Sequence, residues 1–155
     1  MAPDEVEHVQ VTFPLERDEL GWPPASAEKL WARRTAVTDE VELDNIPLFA
    51  RGVAKGDRVG IDPAADGGWI FREVIAESGH STVRIIVPDD IRVDAVVDHV
   101  VALGCEVERS HVDILVTVDI PPDVAYRSVT GWLDAQEAAE VLQYEEGAIA
   151  SHQRR

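Results

Sequence analysis

The pattern of hydrophobic and polar positions changes character near the middle of the chain. Before residue 80, short stretches such as EHVQVTF and GWIFREVIAE mix apolar and polar residues and are separated by turn-forming sequences such as DPAADGGW. Strands at about ten-residue spacing are typical of a bent antiparallel sheet or a small barrel. Trp31, Trp69 and Phe71 lie on the predicted strands, and we expect them in the hydrophobic core.

From residue 81 the pattern predicts strands and helices in alternation. STVRIIV is typical of a strand, and the valines of IRVDAVVDHVVALG recur at helical spacing, with Gly104 as the expected end of the helix. CEVERSH and VDILVTVDIP predict a hairpin, PPDVAYRSVTGWLDAQEAAE predicts a helix, and VLQYEEGAI predicts a closing strand. The resulting βαββαβ order is the pattern of ferredoxin-like domains.

We therefore predict an α+β protein with three segments. Residues 1–26 hold an N-terminal strand and a proline-containing excursion, residues 27–80 form a small β-barrel-like half, and residues 81–155 form a ferredoxin-like half. The N-terminal bent antiparallel sheet or small barrel is expected to pack on the ferredoxin-like element. No linker composition separates the two halves, so we expect them to share an interface.

The charge balance restricts the classes of partner. The chain has 14 Lys and Arg against 30 Asp and Glu, a formal net charge of −16. Such a protein repels phosphate backbones and anionic membrane surfaces, so neither nucleic acid nor a membrane is an expected partner, whereas a basic protein is. We expect the arginines of the first half, such as Arg33, Arg51 and Arg72, mainly in internal ion pairs.

Cysteine usage and the N-terminus bear on the compartment. Cys105 is the single cysteine, so the chain cannot form an intramolecular disulfide. The first residues, MAPDEVEHVQ, lack the features of a signal peptide, and no apolar run reaches the roughly 20 residues that span a bilayer. These observations predict a cytoplasmic protein.

Several stretches together resemble one bacterial family. They are EKLWARRT, ELDNIPLFARGVAKGDRV, REVIAESGHSTVRIIV, VTVDIPPD and LQYEEG. In order and spacing they resemble DUF4265, a family of unknown function, over about residues 27–147. The resemblance supports the predicted architecture and implies no catalytic mechanism. The N-terminal part up to about Pro24 lies outside it.

The polar turn SGHST is the first candidate site. Ser78 and His80 are residue types that could serve as nucleophile and base in acyl transfer or hydrolysis, with Asp57 or Glu77 orienting the histidine. The turn lacks the G-x-S-x-G pattern that exposes a nucleophile between strand and helix. A structural turn, in which Gly79 supplies an unusual backbone angle and the hydroxyls satisfy backbone groups, is the competing interpretation.

Five further residues are candidates for binding a ligand or a partner: Trp22, Asn45, Arg51, Lys55 and Arg84. Trp22 lies in the proline-rich excursion and could anchor a partner. Lys55 lies in GVAKGD, a glycine-rich turn that lacks the pattern of a phosphate-binding loop. The five histidines include no pair at the i, i+3 or i, i+4 spacing of a helical metal site, so we expect neither a metal nor a cofactor.

The sequence favours a non-enzymatic cytoplasmic binding or interaction protein, with an immunity-type inhibitor of a basic partner as one form of it. The strong negative charge, the small size and the lack of a complete catalytic constellation motivate this interpretation. Two alternatives stay open at the Ser78–Gly79–His80 turn. One is a small hydrolase or acyl-transfer enzyme, and the other is a small-ligand sensor.

Overall fold

A computed structural model describes residues 7–153 of the chain. The first sheet consists of β1 (His8–Pro14), β2 (Ala27–Arg34), β3 (Glu40–Leu43), β4 (Arg58–Pro63) and β5 (Trp69–Ala76). The second sheet consists of β6 (Ser81–Ile86), β7 (Glu106–Arg109), β8 (Leu115–Ile120) and β9 (Gln143–Ala148). Two helices accompany it, α1 (Val93–Ala102) and α2 (Tyr126–Ala138).

The first sheet closes into a ring. Each strand from β1 to β5 pairs antiparallel with the next, and β1 also pairs in parallel with β5. Alternate side chains, among them Val11, Phe13, Leu30 and Val41, fill the interior, because successive residues of a strand face opposite sides. With the two helices of the second sheet, this arrangement confirms the predicted α+β class.

The expectation that Trp31 is a core residue is wrong. Its side chain is 47% exposed, whereas its strand neighbours Leu30 and Ala32 point inward and are buried. Because a strand alternates faces, an inward Leu30 and Ala32 force the tryptophan outward. Trp69 and Phe71 are partly buried and pack against the core of the ring, in agreement with the sequence.

The second sheet is antiparallel and has the strand order β7-β8-β6-β9. Both helices pack on one of its faces, where Val83, Ile85, Val116 and Val118 form a core with helix side chains such as Leu133. The predicted valine-rich helix and the closing strand β9 are both confirmed. Each half of the molecule therefore has a hydrophobic core of its own.

The opposite face of the second sheet is polar and is nevertheless buried. It carries Thr82, Arg84, Thr117 and Asp119, each at most 2% exposed. The long connection between β3 and β4, residues 44–57, covers this face and supplies backbone carbonyls that accept hydrogen bonds from it. The junction between the two sheets is thus held by polar contacts, as expected for buried polar groups.

Candidate functional site

The SGHST turn lies at this junction, between β5 and β6. The backbone N–H of Ser78 donates to Asp57 Oδ1 at 2.9 Å, and the Ser78 hydroxyl donates to the carbonyl oxygen of Lys55 at 2.7 Å. Gly79 has a φ of +94°, and a Cβ there would approach the side chain of Pro122 to 3.1 Å. The positive φ favours glycine at this position, and the close approach of Pro122 leaves little room for a Cβ.

His80 is paired with a carboxylate that the sequence analysis did not single out. Its Nδ1 lies 2.7 Å from Oδ2 of Asp119, a fully buried residue, while the imidazole itself is 27% exposed. Burial raises the pKa of the Asp119 carboxyl, and the hydrogen bond from His80 opposes that rise. Asp57, proposed from the sequence as an orienting group, contacts Ser78 instead.

The Ser78 hydroxyl is not arranged as an activated nucleophile. It accepts a hydrogen bond from the backbone N–H of His80 at 3.1 Å, and within residues 7–153 no hydrogen bond joins it to the imidazole. A Ser–His pair needs that contact for proton transfer. Nearby, Lys55 Nζ lies 2.7 Å from Glu106 Oε2, which raises the pKa of Lys55 and lowers that of Glu106.

Residues 7–153 contain neither a cluster of metal ligands nor a helix that could cross a membrane. No group of three or more His, Cys, Asp or Glu side chains among the described residues is placed to hold a metal ion. Cys105 is buried, and burial raises the pKa of its thiol to about 11, so it is a thiol rather than a thiolate at neutral pH. In residues 7–153, neither helix has the length and apolar character needed to cross a bilayer.

Arg84 fastens the connection 44–57 to the second sheet. Its Nε donates to the carbonyl oxygen of Leu48 at 2.5 Å, and its Nη2 donates to that of Ala50. Its Nη1 lies 3.7 Å from Oε1 of Glu145, beyond hydrogen-bonding distance. Glu28 holds the same segment from the ring side, because its carboxylate accepts the backbone N–H groups of residues 48–50.

Residues 15–23, here called the Leu20 loop, form a compact turn between β1 and β2. Asp18 Oδ1 accepts the backbone N–H groups of Leu20 and Trp22, both at 2.9 Å. Arg17 donates to the carbonyl oxygens of Pro23 at 3.1 Å and Gly21 at 3.2 Å. These bonds fix the backbone while the Leu20 side chain at the tip is 94% exposed.

A cavity of about 460 Å³, here called the Trp22 cleft, lies between the Leu20 loop and β9. The rings of Trp22 and Phe49 pack nearly perpendicular to each other with centroids 5.6 Å apart, and both residues line the cleft. On its wall, Arg51 Nη2 lies 2.8 Å from Oε2 of Glu145. A smaller cavity of about 140 Å³ adjoins it and is lined by Trp22, Glu145 and Arg84.

The structure thus brings together three of the five candidate binding residues, Trp22, Arg51 and Arg84, around Glu145. Asn45 lies apart, where its Oδ1 accepts the backbone N–H of Trp31 at 2.8 Å. Lys55 also lies apart, beside Glu106.

Two carboxylates at these sites had weak signals in the sequence. Asp119 interrupts the apolar run ILVTVDI, and a charged residue inside a buried strand indicates a specific partner. Glu145 lies opposite Arg84 in the β6–β9 register, a pairing that becomes visible only once the strands are aligned.

Comparison with known proteins identifies the family and the fold. A crystal structure of a hypothetical protein from Neisseria gonorrhoeae superimposes with a TM-score of 0.71 at 22% identity, covering 94% of this chain and 96% of that one. At this identity the likeness shows a shared fold. No curated protein matches the sequence. Residues 28–144 match the family described as Domain of unknown function (DUF4265), and the chain therefore belongs to that family.

Proposed function

We propose that the protein is a non-enzymatic binding protein whose Leu20 loop docks against a basic protein partner. The observation that carries this proposal is the loop itself: Asp18 accepts hydrogen bonds from its backbone N–H groups, Arg17 donates to its backbone carbonyl oxygens, and its leucine is almost fully exposed. The Leu20 side chain contributes nothing to the core, and its apolar surface is left in contact with water. A partner that covers it would recover that hydrophobic free energy.

The preformed shape of the loop favours binding. A segment that is already ordered loses less conformational entropy when it associates, so more of the contact energy appears as affinity. The neighbouring Trp22 cleft offers aromatic surface beside the leucine, and tryptophan is among the residues enriched at interaction hot spots.

The charge around the loop indicates a basic partner. Glu16, Asp18 and Glu19 flank Leu20, and the whole chain carries −16. The positive side chains elsewhere are largely engaged, as the pairs Arg33–Asp44 and Arg109–Asp94 illustrate. An acidic surface of this kind attracts a cationic protein over distances of about the Debye length, roughly 8 Å at physiological salt.

An immunity-type inhibitor that covers a basic toxin is the form of this function that best suits a small, acidic protein. We also interpret the second half as ferredoxin-like, because its βαββαβ order and its strand order support that topology. Ferredoxin-like scaffolds serve many functions, so the partner must be inferred from the surface and not from the topology.

A second candidate function rests on the His80–Asp119 pair. A histidine whose Nδ1 is held by a buried carboxylate has the orientation of a general base, with water as the nucleophile. This enzyme hypothesis requires a substrate cavity at His80, and the two cavities around Trp22 described above are not lined by it. We favour the binding function because it rests on the ordered backbone and the exposed leucine of the Leu20 loop.

Comparative affinity capture tests the proposal. Immobilised protein is exposed to lysate of the host, and the retained proteins are compared between wild type, Leu20→Asp and Ile91→Asp. Ile91 is the matched control because it is also a leucine-sized apolar residue, 86% exposed, and it lies just before α1, outside the Leu20 loop. We expect one basic protein retained by wild type and Ile91→Asp, released by salt, and absent from Leu20→Asp.

Retention by all three variants, or a partner without excess positive charge, would contradict the proposal. His80→Gln separates the two candidate functions, because it should leave partner retention unchanged if the protein binds through the Leu20 loop. Loss of retention in His80→Gln, with the variant still folded by circular dichroism, would move the interface to the β5–β6 junction.

A further inference from the structure

We infer that the Trp22 cleft receives an arginine side chain of the partner, which replaces Arg51 against Glu145. The inference rests on the proposed function and specifies how the basic partner is recognised. In the free protein the cleft already holds a guanidinium beside a carboxylate and two aromatic rings, so Arg51 is an internal substitute for the ligand.

The exposures of the three charged residues identify which group can be exchanged. The Arg51 side chain is 66% exposed, that of Glu145 is 35% exposed, and that of Arg84 is 1% exposed. Arg84 is held by the carbonyl oxygens of Leu48 and Ala50 and cannot leave without opening the junction. Arg51 is held by its ion pair with Glu145, and it can swing into solvent while Glu145 and Arg84 stay in place.

Charge decides that the incoming group is a cation. Within the Leu20 loop, Arg17 donates to backbone carbonyl oxygens and Asp18 accepts backbone N–H groups, and because their charges are opposite the two residues together add no net charge to the cleft. Once Arg51 leaves, the cleft presents Glu16 and Glu145, on a chain whose formal net charge is −16. This field raises the local concentration of cations and opposes the entry of an anion.

The lining of the cleft favours guanidinium over ammonium. A guanidinium group is planar, stacks on aromatic faces and can donate two parallel hydrogen bonds to one carboxylate. The cleft supplies the ring of Trp22 and the carboxylate of Glu145 for these two contacts. A lysine ammonium would gain the charge interaction without the stacking or the paired hydrogen bonds.

The exchange is inexpensive because an exposed salt bridge contributes little to stability. The Arg51–Glu145 ion pair must break before the partner's arginine can bind, and the free energy of an exposed ion pair corresponds to an affinity about 1.4-fold to fivefold lower. Removing Arg51 should restore the same factor. Removing any positive charge should favour a cationic ligand to some extent. A larger gain at Arg51 than at another exposed arginine would show that Arg51 competes with the ligand, which a purely structural Arg51 would not do.

The test uses the full chain and a capped hexa-arginine peptide as the probe, with a capped hexa-lysine peptide for comparison. Calorimetric titration at low salt gives the affinities. Arg51→Gln should bind hexa-arginine about 1.4- to fivefold more tightly than Arg33→Gln, which makes the same charge change at another exposed ion pair. Glu145→Gln should bind it more weakly than Glu73→Gln, which likewise removes an ion-paired carboxylate on the ring surface.

The indole N–H resonance of Trp22, assigned with Trp22→Phe, should shift with hexa-arginine and less with hexa-lysine. Equal affinities for Arg51→Gln and Arg33→Gln, equal binding of the two peptides, or an unmoved Trp22 resonance would each overturn the inference. If Glu145→Gln loses its folded structure, the Arg51→Gln and Arg33→Gln pair still decides the question. The proposed function is tested separately by the affinity capture described above. It would fail if Leu20→Asp retained the partner as well as wild type does.

Discussion

Replacing Arg84 by methionine should lower the free energy of unfolding by about 3–5 kcal/mol, a large share of the roughly 5–15 kcal/mol that stabilises a typical domain. The Arg84 side chain is 1% exposed and bonds two carbonyl oxygens, those of Leu48 and Ala50, on the connection between β3 and β4. Methionine fills a similar volume with apolar atoms, so the perturbation removes the hydrogen bonds and the charge with little change in packing.

The magnitude follows from the contacts. Each hydrogen bond to a charged group contributes about 1.5–3 kcal/mol, so two of them give roughly 3–6 kcal/mol. The two carbonyl oxygens would then be buried without donors, and Glu145 would lose its buried neighbour at 3.7 Å. Against this, burial lowers the pKa of the Arg84 guanidinium, which shows that placing the charge there has a cost that methionine avoids. The net loss of unfolding free energy should therefore lie in the lower part of the range of roughly 3–6 kcal/mol, at about 3–5 kcal/mol.

Equilibrium unfolding in urea, followed by tryptophan fluorescence and far-ultraviolet circular dichroism, measures the effect. Thermal unfolding should show a midpoint lower by roughly 6–20 °C, taking about 2–4 °C per kcal/mol for a chain of this size. Arg33→Met, at an exposed ion pair, is the control and should change stability by no more than about 0.5 kcal/mol. A loss below about 1 kcal/mol for Arg84→Met would refute the assignment of Arg84 as the fastening of the junction.

Two further predictions test the packing of the junction. Burial raises the pKa of the Asp119 carboxyl, so its contribution to stability is fully present below the unfolded value of about 3.9 and is lost as pH rises through the raised folded value. Stability measured in urea from about pH 4 to 7 should therefore fall less steeply in Asp119→Asn than in wild type, and identical slopes would contradict this. Gly147→Ala should destabilise the protein by about 1–3 kcal/mol, because the added Cβ would collide with Nη1 of Arg84. Gly131→Ala, where α2 leaves open space for a Cβ, should stabilise the protein by about 0.5–1 kcal/mol. Thermal denaturation of the two variants should therefore show shifts of opposite sign.

Local sequence patterns predicted most of the elements of this fold. Valine spacing located α1, and Gly104, at a φ of +103°, follows its end as expected. The alternation of strand residues located the two sheets, but it could not decide which alternate set faces inward. Trp31 shows the limit, because hydrophobicity alone favours burial while the inward Leu30 and Ala32 determine its direction.

The candidate sites were harder to predict because their contacts join distant parts of the chain. His80 and Asp119 are separated by 39 positions, and Arg51 and Glu145 by 94. The sequence analysis offered Asp57 or Glu77 as the partner of His80, whereas the strand register brings Asp119 to it. The sequence therefore indicated candidate residues such as His80 and Arg51, but their contact partners could be identified only after the strands were aligned in the structure.

The polar junction also fixes the geometry of the Trp22 cleft. One wall of the cleft, with Trp22 and Phe49, belongs to segments attached to the ring, and the other, with Glu145, belongs to the second sheet. Apolar surfaces can slide past each other at small cost, but hydrogen bonds are directional and weaken steeply when their angles change. The bonds of Arg84 and Thr82 to the covering segment therefore hold the two walls at one separation. Loosening the junction should widen the cleft and lower its selectivity before it unfolds either half.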